Sequence, residues 1–217
     1  MPLHSGRPLA RSFYARPTLE VVADLIGKAL VHDERHGRTA GLIVEAEAYI
    51  GETDAACHAA AGPTRRNAPL YGPPGFAYVY LNYGLHEMMN VVTEAEGAPA
   101  AILIRALDPV EGVERMRRRR IRLRKASGAR TADVPTKDLC RGPGNLTVAL
   151  GITRRFNRSD LTCGPLRIED WGAGRAPIEW SRRIGIRVAI EHEWRCSWAG
   201  HQSVSGKPNA RLITGDR

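Results

Sequence analysis

No apolar run in this chain approaches the length that a bilayer-spanning helix needs, and the opening residues, Met-Pro-Leu-His-Ser-Gly-Arg, lack the apolar centre of a secretory signal. A soluble cytoplasmic protein, nucleoid-associated if bacterial and without a membrane partner, is the expectation. Cysteine is scarce and scattered: Cys57, Cys140, Cys163 and Cys196 form no Cys-x-x-Cys pair and have no matching histidine spacing. Structural zinc and disulfides are thereby disfavoured, and inert buried thiols are the better reading. No internal repeat is visible, which argues against an array. Aromatic residues make up only 6% of the chain, so a local concentration of them calls for a reason. Acid is in deficit: 32 Lys and Arg face 23 Asp and Glu, for a formal charge of +9 and a pI near 9.9. That balance favours a polyanionic partner without proving one.

What is there suffices for one folded domain. A chain of 217 residues with 43% hydrophobic content can bury a full core. One domain over 1–217 is expected, with flexible ends at 1–16 and 207–217. The run Leu19, Val22, Leu25, Ile26 after Pro17-Thr18 has helical spacing and closes at Gly27. Ala29 to His32 and Thr39 to Ala48 read as strands joined by a polar turn, and Phe76 to Leu81, Glu87 to Thr93 and Ala100 to Leu107 as three more. Short turns between neighbours argue for antiparallel pairing.

In the Thr39–Ala48 strand the alternation brings Glu45, Glu47 and Tyr49 to one face, which should line something wet. Residues 51–74, rich in Gly and Pro, read as a long ordered loop. A helix is expected from Pro109 and Glu111 through an arginine-rich half that holds Arg118 and Arg119. Its acid-to-base order suits the helix dipole. Those cations fit a solvated face and a phosphate contact about equally well. A second helix is expected over Asp138–Leu150, interrupted or preceded by Gly142-Pro143-Gly144, and further strands or loops at 166–168, 183–190 and 194–198.

Three motifs are excluded. His86-Glu87-Met88-Met89-Asn90 ends on Asn where a His-Glu-x-x-His zinc motif needs histidine, and it falls on a strand rather than a helix. Gly142-Pro143-Gly144, with Asp160 downstream, suggests the hairpin of helix-hairpin-helix proteins; that fold is all-helical and this chain's central third is β-rich, so a plain turn at a helix entry is the better reading. Asn145-Leu146-Thr147 and Asn157-Arg158-Ser159 are chance matches to the glycosylation triplet.

A larger pattern lies in Val44-Glu45-Ala46-Glu47-Ala48-Tyr49, Asp54 to His58, Thr64-Arg65-Arg66-Asn67, Pro74 to Tyr80, Tyr83-Gly84, Met89-Asn90-Val91, Arg105 to Pro109, Leu139 to Gly144 and Arg183-Ile184-Gly185-Ile186. Together, and in this order over roughly residues 17 to 206, these segments closely resemble the alkyladenine, or 3-methyladenine, DNA glycosylase family. The resemblance implies a single α+β domain, not helix-hairpin-helix, built on a curved, mostly antiparallel sheet with surrounding helices. It also implies a monofunctional enzyme, a monomer without metal or organic cofactor. Such an enzyme binds double-stranded DNA in the minor groove, flips a damaged purine and hydrolyses its N-glycosidic bond. The lesions are 3-methyladenine and other alkylpurines, with hypoxanthine and ethenoadenine as further candidates.

Carried over residue by residue, the resemblance makes Glu47 the general base, Arg105 the group that orients Glu47 and the attacking water, and the backbone carbonyl of Ile184 the third contact of that water. Tyr49, His58 and Tyr80 become the walls of the base pocket, Asn90 the residue that crowds the exocyclic amine of guanine, and Tyr83 the side chain inserted into the duplex. From the residues alone, a structural Glu47–Arg105 ion pair is the favoured reading, a backbone-satisfied Asn90 is the alternative there, and a His58 that holds its own loop is an equal one. No lysine occupies the matched catalytic positions, so no Schiff base and no strand-cleaving step are expected. The match departs at Trp194 to Trp198 and at Ala68 to Tyr71. Two rivals stand beside the glycosylase: a damage-binding module without catalysis, and an RNA-binding or RNA-modifying protein.

Overall fold

The computed structural model describes residues 6–128, 133–172 and 174–206. Its alternating apolar runs form nine strands among these residues, in one sheet with the path β1-β7-β2-β3-β6-β5-β4. These are β1 (Arg7–Pro8), β2 (Ala29–Glu34), β3 (Gly37–Ile50), β4 (Ala77–Asn82), β5 (His86–Val92), β6 (Ala100–Glu111) and β7 (Leu166–Asp170). Strands β8 (Ile178–Ser181) and β9 (Arg195–Trp198) join through β3. Every pairing is antiparallel, and the sheet curls into a half-barrel. The α+β expectation therefore holds.

The two long strands β3 and β6 form the spine. Along one side of β3, β2 covers its first half and β9 its second, from Glu45 to Glu47. On the other side β6 runs the full length, but not in even register. Ile43 faces Leu107, Glu45 faces Ala106 and Ala46 faces Ile104, which leaves Val44 and Arg105 as bulged residues on opposite strands. Bulges re-aim side chains. Ahead of them Ile43 and Leu107 join the main core; beyond them that role passes to Ala46, Ala48, Ile102 and Ile104. The switch in parity turns Glu45, Glu47, Tyr49, Leu103 and Arg105 to the opposite face.

The helices α2 (Thr18–Leu25), α3 (Val113–Ala126) and α4 (Pro143–Leu150) supply Val21, Val22, Leu25, Met116, Leu146 and Leu150 to that core, all fully buried. Each such side chain contributes on the order of 1.5–3 kcal/mol by leaving water. A smaller cluster on the other face gathers Cys57, Ala59 and Leu70 from the 51–74 segment against Tyr78 and Ala101. The long loop is thus ordered by its own apolar contacts and carries two 3-10 turns, His58–Ala61 and Ala68–Tyr71.

Several expectations need correction. The helix expected from Pro109 starts only at Val113, because β6 continues to Glu111 and Pro109 is accepted there at the register shift opposite Gly41. The helix expected over Asp138–Leu150 is interrupted at Gly142-Pro143-Gly144 as expected, so that only its later part is α-helical: a 3-10 turn ends at Asp138, Arg141 bridges to Ala106, and Pro143 opens α4 as a plain helix entry. Residues 183–190, expected as strand or loop, form bends and turns. Cys163 is exposed, while the other three cysteines are buried; all four are free. Within the 1–16 segment, β1 pairs with β7, and α1 (Arg11–Tyr14) buries Tyr14 completely. The tail at 207–217 lies outside the described residues. Among those described, no helix is long and apolar enough to cross a membrane.

The change from β6 to α3 turns on Gly112, whose φ is +73° and where a side chain would run into the carbonyl of Arg38 and the backbone of Thr39. Gly112→Ala is expected to destabilise the fold by about 1–3 kcal/mol, measurable as a lower urea midpoint with unchanged slope.

Candidate active site

The face exposed by the two bulges carries an open cavity of about 430 Å³, within the range of small-molecule sites. Tyr49, His58, Tyr80, Asn90, Arg105 and Ile184 all line it, so six separate stretches of the sequence converge there. Glu47 lies directly behind this wall with no exposed area. Its Oε2 accepts from the Tyr49 hydroxyl at 2.9 Å and from Arg105 Nη1 at 3.2 Å, and its Oε1 accepts from the Ile184 amide at 2.7 Å. The structure therefore presents the Ile184 N–H to Glu47.

Of the face expected to line something wet, Tyr49 lines the open cavity, whereas Glu45 and Glu47 are buried. Glu45 is fully buried and accepts from Arg105 Nε at 2.9 Å, Arg195 Nε at 2.8 Å and the Ser205 amide at 2.6 Å. Two carboxylates and two guanidiniums alternate, and this neutrality is what makes their burial tolerable. Burial still dominates at Glu47 and raises its pKa above the ordinary carboxylate range, against the opposing pull of Arg105, the Ile184 amide and Tyr49. A raised value suits a proton acceptor, because basicity rises with it.

The aromatic wall is held from below. His58 Nδ1 shares a hydrogen bond of 2.9 Å with the Tyr78 hydroxyl, and its ring meets Tyr80 edge-on at 4.6 Å between centroids. Burial, helped by the Arg66 cation, lowers the His58 pKa, so the imidazole is neutral at neutral pH. Burial pushes Tyr78 and Tyr80 up to about 12. Asn67 accepts from the Thr64 amide and donates to the carbonyls of His58 and Gly62, which fixes the loop that presents His58. Asn90 donates to the Tyr78 carbonyl at 3.1 Å across the β4–β5 pair while also lining the cavity. Two readings of that residue, backbone-satisfied and pocket-facing, hold at once.

Tyr83 stands at the tip of the β4–β5 hairpin, at the cavity rim, and is 90% exposed. Both Tyr83 and Gly84 have positive φ, 48° and 70°. An aromatic residue in that conformation is uncommon and points to a function for the exposed ring. The two arginines expected on α3 separate: Arg118 is exposed, whereas Arg119 is tied to Glu34 and to the Ala149 carbonyl.

Some contributors escaped the sequence reading. Tyr78 carried a signal, being on the same strand face as Tyr80. The bracing of Glu45 by Arg195 and Ser205, and a buried Asp54–Arg183 pair, had none, since their members are 150, 160 and 129 residues apart.

With this geometry established, comparison with known proteins is decisive. The profile of the family described as methylpurine-DNA glycosylase matches residues 12–202. The chain belongs to that family. A protein of Methanocella arvoryzae named "Putative 3-methyladenine DNA glycosylase" is 47% identical over 188 residues, 86% of this chain and 88% of its own. Proteins of the same name from Bradyrhizobium diazoefficiens, 44% identical with 94% of each chain covered, and Rhodopseudomonas palustris, 45% identical with 92% of this chain and 91% of its own covered, are similar as well. The family is one of DNA glycosylases, hydrolases of N-glycosyl bonds, so the cavity lies in an enzyme of DNA repair.

The raised pKa of Glu47 has a consequence for stability. The folded state holds this proton more tightly than the unfolded chain, so the contribution is fully present below the ordinary glutamate value and lost as pH rises through the raised one. Glu47→Gln is therefore expected to melt no lower than wild type at pH 8, with the difference shrinking at pH 4. A melting temperature clearly below wild type at pH 8 would contradict this.

Proposed function

We propose that this protein removes 3-methyladenine and related alkylpurines from double-stranded DNA by flipping the damaged nucleotide into the 430 Å³ cavity, where a Glu47-activated water hydrolyses the N-glycosidic bond. The observation that carries the reading is the buried Glu47 carboxylate behind a wall of Tyr49, Arg105 and Ile184, all of which line the cavity. The departing base leaves oxocarbenium character on the sugar, and a nearby carboxylate both stabilises that charge and accepts the water's proton. Arg105, held between Glu45 and Glu47, fixes the carboxylate's orientation.

Tyr49 and Tyr80 supply ring surfaces for the electron-poor purine, a gain on the order of 1–3 kcal/mol per stacked base. His58, neutral by burial, contacts the base without adding positive charge beside a cationic lesion. Asn90 crowds the exocyclic amine of guanine. Tyr83, exposed at its hairpin tip, fills the gap left in the stack. Surplus positive charge on the chain suits the phosphate backbone. We assign the protein to the compartment that holds the chromosome and read it as a monomer on DNA.

Two labelled duplexes, one with a methylated purine and one with hypoxanthine, separate this reading from its rival. Wild type is expected to leave alkali-labile sites at the methylated base, and Glu47→Gln to slow their formation by about 10²–10⁴-fold without loss of duplex binding. Tight binding by both proteins with no abasic site on either duplex would replace the enzyme with a damage-binding module.

A further inference from the structure

The Ile184 amide reaches Glu47 from a segment, 182–193, that has no strand or helix of its own. What fixes it is the neighbouring residue. The Arg183 side chain has no exposed area and forms a two-pronged pair with Asp54, itself without exposure, at 2.6 and 2.8 Å. Its Nη1 also donates to the Ala48 carbonyl at 3.0 Å and its Nη2 to the Ala189 carbonyl at 3.3 Å. The guanidinium carbon lies 4.7 Å from the Tyr49 ring centroid and 5.1 Å from that of Trp194, which stacks in turn on His192. Asp54 accepts from the amides of Ile50 and Ala56, within the turn that leads to Cys57 and His58.

One guanidinium thus joins three walls of the cavity: the end of β3 with Tyr49, the turn before His58, and the loop with Ile184. Arg183 does not itself line the cavity, although Ile184, Gly185 and Ile186 do. A fully buried ion pair is a poor source of stability, and among the described residues Arg183 Nε has no hydrogen-bond partner. Its geometry is better explained by what it holds in place. We propose that Arg183, clamped by Asp54 between Tyr49 and Trp194, is a positioning residue that sets the Ile184 amide on Glu47 and so tunes the base of the proposed reaction. This rests on the glycosylase reading above.

The clamp acts on Glu47 among fixed neighbours: Glu45 and Tyr49 on its own strand, Arg105 on β6, Arg195 on β9, Tyr80 on β4 and Arg183 itself. Of the hydrogen bonds that Glu47 accepts, those from Tyr49 and Arg105 come from strands, whereas that from the Ile184 amide comes from a segment without a ladder to hold it. Loss of that donor disfavours the ionised carboxylate and shifts its titration to higher pH.

Arg183→Lys keeps the charge but loses the fork and the planar face; Asp54→Asn keeps the shape but loses the pairing charge. Both are expected to bind lesion duplex within about threefold of wild type and to release base on the order of 10- to 100-fold more slowly per folded molecule. Carbon-13 titration of the Glu47 carboxyl in the free protein should show its midpoint raised in both variants, and the Ile184 amide proton should lose its hydrogen-bonded shift. A merely structural role would lower the melting temperature and leave the Glu47 midpoint where it was, and that result in either variant overturns the proposal. If wild type released no base, the glycosylase reading would fall while the titration still decided whether the clamp exists.

Discussion

Two carboxylates, Glu45 and Glu47, lie two residues apart on one strand with no solvent around them, and the interior tolerates them only because Arg105 and Arg195 are interleaved with them. Removing either guanidinium would leave a buried charge uncompensated, at a cost of about 3–5 kcal/mol. The arrangement depends in turn on backbone geometry. Bulges at Val44 and Arg105, on either side of the Glu45–Ala106 pair that joins β3 to β6, move this polar set off the face that packs on the helices. Without them the alternation that puts Ile43 in the core would put Glu45 and Glu47 there too.

From that constraint the division of labour in the molecule follows. One face of the sheet is sealed by α2, α3 and α4 and supplies stability. The other is roofed incompletely by the 51–74 segment and the 182–193 loop, and the space between them is the cavity. The carboxylate is screened from bulk water, whereas Tyr83 is pushed out into it. These opposite exposures suit the two proposed tasks: a base whose proton affinity is set by burial, and a ring that inserts into the DNA stack.

Much of this was legible in the sequence because the information was local. The strand runs, the Gly27 stop after α2, the turn at Asn82 to Leu85 and the tyrosines at 78, 80 and 83 each declare themselves within a few residues. The grouping of Glu47 with the cavity-lining Tyr49, His58, Tyr80, Asn90 and Arg105 came from the resemblance, since no spacing rule joins them. What stayed hidden was non-local or against propensity. Pro109 reads as a helix start, yet pairing with β3 keeps it in a strand; Glu45 reads as a wetted residue, yet Arg195 and Ser205, far along the chain, take it into the interior. The Asp54–Arg183 pair is likewise invisible until the fold brings both ends together.

We propose that the buried Glu47, its pKa raised by desolvation, is the base. Single-turnover release of a cationic methylpurine, which needs no protonation of its leaving group, tests it most directly when followed against pH. The account expects a rate that climbs as Glu47 ionises, with a midpoint above the ordinary carboxylate range, then a plateau, and a slow residual rate in Glu47→Gln without that limb. A rate independent of pH through the acidic range, or the same limb persisting in Glu47→Gln, would assign the base elsewhere.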